Sequence, residues 1–293
     1  MSTTTSRSTR RARLAVAALA PATLLLAACA NPDVPGALAP ADATHAPLTD
    51  AREAVGTWTV GGTAADADKG AVLQIGAGMS LWLDCGLVDV SYLVGTDGSL
   101  VTDAWSGSGS CTLPGVPAWL GDATSIATAG DDLVLLGADG TPTATLTAGG
   151  TPKVPADVSA ELAKDPVLDD VLRAQLDPSS PELPAGVTAA TTDELVGHWL
   201  PAEPVGEPEA SYLDLAADGT WTGSDGCNGT QGLWLSADGS WRATSGPQTM
   251  MYCEGVQMPM FAATARAAGL DADGALVLVD ADGTELVRLV KKA

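Results

Sequence analysis

The sequence predicts a mainly β chain of α+β type: two antiparallel β units in tandem, each with one short helix, joined by a partly helical linker. Three observations lead there. The first is an internal repeat. Val55-Gly56-Thr57-Trp58 returns as Val196-Gly197-His198-Trp199, Cys85 and Cys111 return as Cys227 and Cys253, and Trp119 falls opposite Phe261. Leu133-Val134-Leu135-Leu136 with Asp139-Gly140-Thr141 returns as Leu276-Val277-Leu278-Val279 with Asp282-Gly283-Thr284. The offset stays between 141 and 143 residues across these landmarks, as two copies of one unit would require. The second is the run of Asp-Gly pairs at 97–98, 139–140, 218–219, 238–239, 273–274 and 282–283, most of them flanked by β-formers. Asp-Gly supplies the positive φ that a tight hairpin needs. The third is composition: 33 Gly and 19 Pro beside a single Phe suit short strands and many turns better than a helical bundle.

The chain opens with an address. Arg7, Arg10, Arg11 and Arg13 precede Leu14–Leu26, an almost purely apolar run that ends at Leu26-Ala27-Ala28-Cys29. The run is too short to cross a ~30 Å hydrocarbon core as a helix, but it suits a signal-peptide core. The segment resembles the bacterial lipoprotein signal. That resemblance implies cleavage of residues 1–28, lipidation of Cys29 and an extracytoplasmic chain held on the cell membrane. More than one acyl chain makes such an anchor stable. After Cys29 the chain keeps 10 basic residues against all 36 acidic ones, a formal charge of −26. A chain so acidic is repelled by nucleic acid, which is excluded as a partner.

Residues 29–49 read as a flexible tether, because Pro32, Pro35, Pro40 and Pro47 keep an aperiodic Ala/Pro/Asp stretch extended. His45 lies there and reads as solvated. The first β unit is placed at 50–150, the linker at 151–190 and the second unit at 191–293. In the second unit, hairpins are expected from Tyr212–Ala216 to Thr220–Gly223, from Gly232–Ser236 to Ser240–Ala243, and from Ala275–Asp280 to Thr284–Val290. A helix is expected near Gln257–Ala268, where Met260, Phe261, Thr264, Ala265 and Ala268 recur at helical spacing and Gly269 offers a stop. Its counterpart near Ala118–Ala129 is interrupted by Gly121. In the linker, Asp157 is positioned to cap a helix over Val158–Leu176 with a stripe of Leu162, Val167, Leu168, Val171 and Leu172, and Pro166 kinks or splits it.

With Cys29 assigned to lipid, four cysteines remain, two per repeat and each pair 26 apart. Outside the reducing cytoplasm they read as the disulfides Cys85–Cys111 and Cys227–Cys253. A redox or metal site is the alternative, but there is no Cys-x-x-Cys to support it and neither cofactor nor metal is expected.

Ser224-Asp225-Gly226-Cys227-Asn228-Gly229 after an Asp-Gly-Thr hairpin, followed by Thr249-Met250-Met251-Tyr252-Cys253, resembles the paired Gly-Cys-Asn and Thr-x-Met-x-Cys segments of META domains, the heat-shock HslJ-like family. The resemblance covers about 190–293, and its motif residues here are Gly226, Cys227, Asn228, Thr249, Met251 and Cys253. The first repeat is a diverged copy, with Asp84-Cys85-Gly86 and Gly109-Ser110-Cys111 at the matching places. The family implies a small curled antiparallel sheet or cracked barrel with one helix. It also implies an envelope protein linked to stress or drug tolerance, with no enzymatic activity established for the class.

The residues carry no catalytic constellation. His198, beside Trp199 in a strand, reads as structural or surface. Asp271-Ala272-Asp273-Gly274 and Asp280-Ala281-Asp282-Gly283 lack the remaining ligands of a calcium loop and read as hairpin turns. Asn228 reads as fixing the turn after Cys227. Trp82, Trp221, Trp234 and Trp241 offer an aromatic face for sugar rings or an acyl chain, or else they fill a core that has almost no Phe. Two functions follow. One is a non-catalytic, membrane-anchored module that binds an envelope protein or cell-wall glycan. The other is a hydrolase or transferase that acts on envelope glycan through Asp/Glu pairs, which would require a carboxyl with a raised pKa beside a tryptophan-lined cleft.

Overall fold

Two nine-stranded antiparallel sheets follow one another along the chain. The computed structural model describes residues 45–111, 116–206, 211–249, 251–252 and 254–292. The signal segment, Cys29 and Cys253 lie outside the described residues.

The first sheet is built from β1 (Ala46–Pro47), β2 (Gly56–Gly61), β3 (Val72–Ile75), β4 (Met79–Leu83), β5 (Gly86–Val94) and β6 (Leu100–Gly109). A one-turn helix α1 (Ala118–Gly121) then leads into β7 (Ala123–Ala129), β8 (Asp132–Gly137) and β9 (Pro142–Ala148). After a short helix α2 (Asp170–Gln175) the second sheet comprises β10 (Val187–Ala189), the turn α3 (Thr192–Leu195), β11 (Gly197–Pro201), β12 (Ser211–Leu215), β13 (Thr220–Asp225), β14 (Gly229–Ala237) and β15 (Ser240–Ala243). Helix α4 (Met258–Thr264) and strands β16 (Ala267–Asp271), β17 (Leu276–Val279) and β18 (Glu285–Lys291) complete it.

The strand orders coincide. The first runs β1-β7-β8-β9-β2-β3-β4-β5-β6, and the second, read through the β16–β17 pairing, runs β10-β16-β17-β18-β11-β12-β13-β14-β15. The first sheet curls into a half-barrel, and the second closes into an eight-stranded barrel. Ends meet at matching places. Ser240 pairs with Ala267 in the second sheet, and Ser99 meets Ser125 as an isolated bridge in the first. Beyond that bridge β6 runs on as the sheet's edge strand.

Each unit opens with the same device. The chain leaves a turn of helix through a glycine at positive φ, Gly56 at 159° and Gly197 at 148°. The Trp two residues later turns inward and donates its indole N–H back to the helix, from Trp58 to Ala54 O at 2.8 Å and from Trp199 to Leu195 O at 2.7 Å. Around these anchors period-2 alternation builds two cores. One gathers Leu73, Ile75, Leu81, Val90, Leu135 and Leu146, the other Leu213, Trp221, Trp234, Trp241, Leu276 and Leu289. The three hairpins expected in the second unit all form. At the tightest, Asp238 (φ 52°) and Gly239 (φ 82°) make the two-residue turn between β14 and β15.

Several expectations are corrected. The helix over Gln257–Ala268 stops at Thr264, and Ala267 and Ala268 join β16, where Ala268 pairs with Leu278. Barrel closure recruits those residues, and ladder hydrogen bonds outweigh modest helix propensity. For the same reason Ala118–Ala129 yields one helical turn and then β7. The linker helix does not form as one piece. Ser159, not Asp157, caps a 3-10 turn at Ala160–Ala163, and Asp169 caps α2. Pro166 has no N–H to donate and holds the residue before it extended, so the helix cannot pass. The stripe then loses its common face: Leu162, Val167 and Val171 are exposed and Leu172 is buried. Two residues of the expected tether, Ala46 and Pro47, pair with Thr128 and Ala127.

The linker covers the outer face of the first sheet. Val158 packs with Val72, Trp82 and Leu87. Buried Gln74 accepts the Trp82 indole N–H at 2.8 Å and donates to the carbonyls of Ala163 and Lys164. One predicted bridge, Cys85–Cys111, is present with a Cα separation of 4.8 Å. Cys227 is also disulfide-bonded. Replacing Cys85 and Cys111 together with serine is expected to lower stability by about 2–4 kcal/mol, because the loop they close is freed in the unfolded chain. Equilibrium urea unfolding reads this directly.

Candidate functional site

The two sheets belong to one compact unit, and β5 and β6 of the first touch β14 of the second. Val101 of β6 seats against Gly219, in the Asp-Gly turn between β12 and β13. A Cβ at 219 would lie 2.7 Å from its Cγ1, so this glycine both makes the turn (φ 81°) and leaves the seat. Away from that contact lies a cleft of about 990 Å³ between β5–β6 on one side and β13–β15, the segment after β15, Ala263 of α4 and Arg266 on the other. Cavities elsewhere include ones of about 340, 310 and 110 Å³.

Trp105 is the distinctive residue of this cleft. It is 60% exposed, alone among the large aromatic rings lining it. Alternation along β6 puts Asp103, Trp105 and Gly107 on the open face, while Thr102, Ala104 and Ser106 turn toward the sheet. Facing them are Thr222 and Gln231 from β13 and β14, then Thr244 and Ser245, with Arg242 and Arg266 at the far side. The end of α2, at Gln175 and Leu176, also lines it.

The four tryptophans singled out in the sequence do not form a ligand face. Trp82, Trp221, Trp234 and Trp241 are 2%, 1%, 1% and 0% exposed. Trp82 does stand opposite its leucine neighbours, but the linker covers that face. Trp234 and Trp241 stack inside the barrel with ring centroids 5.6 Å apart. Trp221 alone borders the cleft, with its indole N–H donated to Thr244 O at 2.8 Å. Trp105 escaped the sequence reading because its neighbours are Ala104 and Ser106 rather than leucines. A bulky ring on a strand of small residues was the available signal.

Of the motif residues, Gly226, Cys227, Asn228, Thr249 and Met251 come together as a clasp, and Cys253 lies outside the described residues. Buried Asn228 donates its side-chain N–H to Met251 O and to Asp225 Oδ2, at 2.8 and 2.9 Å. Its side-chain oxygen accepts from Met251 N and from Thr249 Oγ1, both at 2.8 Å. The backbone N–H groups of Cys227 and Asn228 donate to Asp225 Oδ1. Gly226 makes the turn at φ 99°. The clasp therefore holds the far end of the segment whose near end, Thr244–Pro247, walls the cleft.

Burial would raise the Asp225 carboxyl, but the hydrogen bonds from Asn228 and Cys227 outweigh it and hold it below the usual carboxylate range. Hydrogen bonds from Thr220 and Thr141 depress Asp218 and Asp139 in their turns. A carboxyl with a folded pKa below its unfolded value of about 3.9 adds stability at neutral pH that is lost as pH falls through the folded value. Unfolding midpoints in urea are therefore expected to stay level from about pH 7 to 5 and to drop below about pH 4. Asp225→Asn should make that drop shallower.

The remaining candidates are structural. His198 Nδ1 lies 2.6 Å from Asp214 Oδ1, and its ring stacks on Tyr212 at 5.4 Å. Asp271 accepts backbone N–H groups from Asp273 and Ala275, and Asp280 from Asp282 and Thr284, so both acidic pairs close hairpin turns. Contrary to a solvated tether residue, His45 lines a cavity with Pro47 and Ile126, its Nδ1 buried without a hydrogen-bond partner. Among the described residues no helix is long and apolar enough to cross a membrane.

No protein-family model, curated protein or solved structure gives a significant match to this chain.

Proposed function

We propose that this chain is a membrane-anchored extracytoplasmic lipoprotein whose folded part is a non-catalytic binding module, holding a glycan of the cell envelope in the cleft between its two sheets. The observation that carries the reading is Trp105, an exposed ring on β6 at the cleft wall, with hydroxyl and amide groups of Thr222, Gln231, Thr244 and Ser245 lining the same cleft. A flat aromatic ring stacks on the apolar face of a sugar, and fixed polar groups around it select orientation. The lipoprotein-like N-terminus supports the location, and the META-like segments support an envelope role without chemistry. A glycan-cleaving site would need a carboxyl with a raised pKa. Among the described residues, the carboxyls with a resolved shift are depressed, by hydrogen bonds or by a neighbouring arginine.

Trp105→Ala is expected to weaken retention on purified cell-wall material roughly tenfold, the loss of about 1.4 kcal/mol from one anchoring aromatic. The measurement is co-sedimentation across a range of wall concentrations. Equal retention of wild type and Trp105→Ala would remove the cleft from the account.

A further inference from the structure

Two of the described arginines are claimed by acids, and Arg173 of α2, which has no ion pair, does not line the cleft. Arg52 is paired with Asp50 and Asp177, and Arg288 with Asp271 and Glu285. Arg242 and Arg266, half-buried at one side of the cleft, differ: among the described residues neither forms an ion pair within 4.0 Å. Arg242 is spent on carbonyls, donating to Asp177 O at 2.6 Å and Ser179 O at 2.9 Å, which straps the linker to the barrel. Arg266 donates one N–H to Ala265 O. Burial, and then the charge of Arg266, push Arg242 down to about 10, which leaves it charged at neutral pH. In a chain with 36 acidic residues, two guanidinium groups without an ion pair lining one cleft, with Asp177 offsetting only part of the shift on Arg242, are an unfavourable arrangement unless something anionic enters.

Resting on the glycan-binding reading above, we infer that the ligand is an anionic saccharide, with a sugar ring on Trp105 and a carboxylate or phosphate received by Arg266, Arg242 adding charge behind it. The planar fork of a guanidinium matches either anion through two parallel hydrogen bonds. The rest of the surface is acidic, but exposed charges beyond about 8 Å are largely screened at physiological ionic strength, so the cleft arginines dominate for a ligand already inside. Asp103, two residues before Trp105 on the open face, is the carboxylate lining this cleft, and it repels an anion bound in the reverse sense. Polarity along the saccharide is thereby set.

The test is titration of the full mature chain, in detergent, with hexagalacturonate, its neutral methyl ester and a phosphorylated maltohexaose, followed by tryptophan fluorescence. One of the acidic probes is expected to bind at least tenfold more tightly than the ester. That preference should shrink as salt is raised and disappear in Arg266→Gln. The carboxylate and phosphate probes tell the two anions apart. Arg266→Lys, which keeps the charge without the fork, should retain part of the preference, and a thermal melt shows whether either variant is folded. If Arg266→Gln is unfolded, the lysine variant decides, and complete loss of preference in a folded lysine variant overturns the inference. So does an ester that binds as tightly as the acids, or a preference that survives Arg266→Gln. In those cases glycan binding at Trp105 still stands. If none of the three probes binds, the glycan-binding reading fails and the inference with it.

Discussion

Replacing Asn228 with alanine is expected to lower stability by about 3–5 kcal/mol. The side chain makes four hydrogen bonds, to Asp225 Oδ2, Met251 O, Met251 N and Thr249 Oγ1. The site is buried, so deletion leaves several donors and acceptors without partners. Each such group costs about 1–3 kcal/mol, partly relieved where water can enter. The same deletion removes a donor that holds Asp225 ionised, so the damage should be greatest near neutral pH. It should also be local before it is global. This clasp fixes Met251, while the β13–β14 ladder from Ser224↔Gly229 to Thr220↔Leu233 has its own backbone pairing. Limited proteolysis at native conditions should therefore cut Asn228→Ala near Met251 while the rest of the chain survives. Asn228→Asp tests the amide itself: it keeps an acceptor for Met251 N and Thr249, but loses the donor to Met251 O and puts a second carboxylate beside Asp225. Stability equal to wild type in both variants would show that Asn228 is incidental. Because Thr244–Pro247 walls the cleft, either variant should also weaken ligand retention without touching the ligand.

Trp241→Ala is expected to cost about 3–5 kcal/mol, the range for emptying a fully buried aromatic site. Trp241 is 0% exposed, stacks on Trp234 and donates its indole N–H to Ala262 O at 2.8 Å. Ala262 lies in α4, so this bond pins the helix to the barrel. Trp241→Phe separates the two contributions. It keeps most of the apolar contact and forfeits the hydrogen bond, and should cost about 1–3 kcal/mol. Urea unfolding of the two variants gives the difference. If phenylalanine proves as costly as alanine, the indole N–H rather than packing holds α4 in place.

Local pattern and long-range geometry contributed differently to what could be read before the fold was in view. The repeat, the turns, the Cys85–Cys111 pair and the three hairpins of the second unit depend on residues close in sequence or on spacing, and each has a short-range cause. Asp-Gly places a positive φ wherever it falls, and alternation marks strands. The helices were less readable. A run such as Ala265–Gly269 has no strong preference of its own, and pairing with β17 decides its conformation. Pro166 was rightly suspected of splitting the linker helix, but the pieces took their caps from Ser159 and Asp169.

The site is where sequence reasoning erred most. Alternation says that Trp82 and its leucine neighbours face opposite ways, but it is silent on which faces are covered when a linker some seventy residues on packs over one of them. Trp105 lies on β6 of the first sheet, Arg242 on β15 of the second and Arg266 between α4 and β16, and nothing local marks them as neighbours. By itself, the sequence determined that this is a twice-repeated, turn-rich, acidic β chain with a Cys85–Cys111 bridge inside its first unit, because those properties follow from spacing, turn chemistry and charge. Only the tertiary structure decided that the barrel tryptophans are core, that Asn228 is a clasp, and that one exposed indole and two unpaired guanidinium groups share a cleft. These depend on which surfaces remain uncovered once two curled sheets and their linker have packed, and that choice is made by burial over the whole chain.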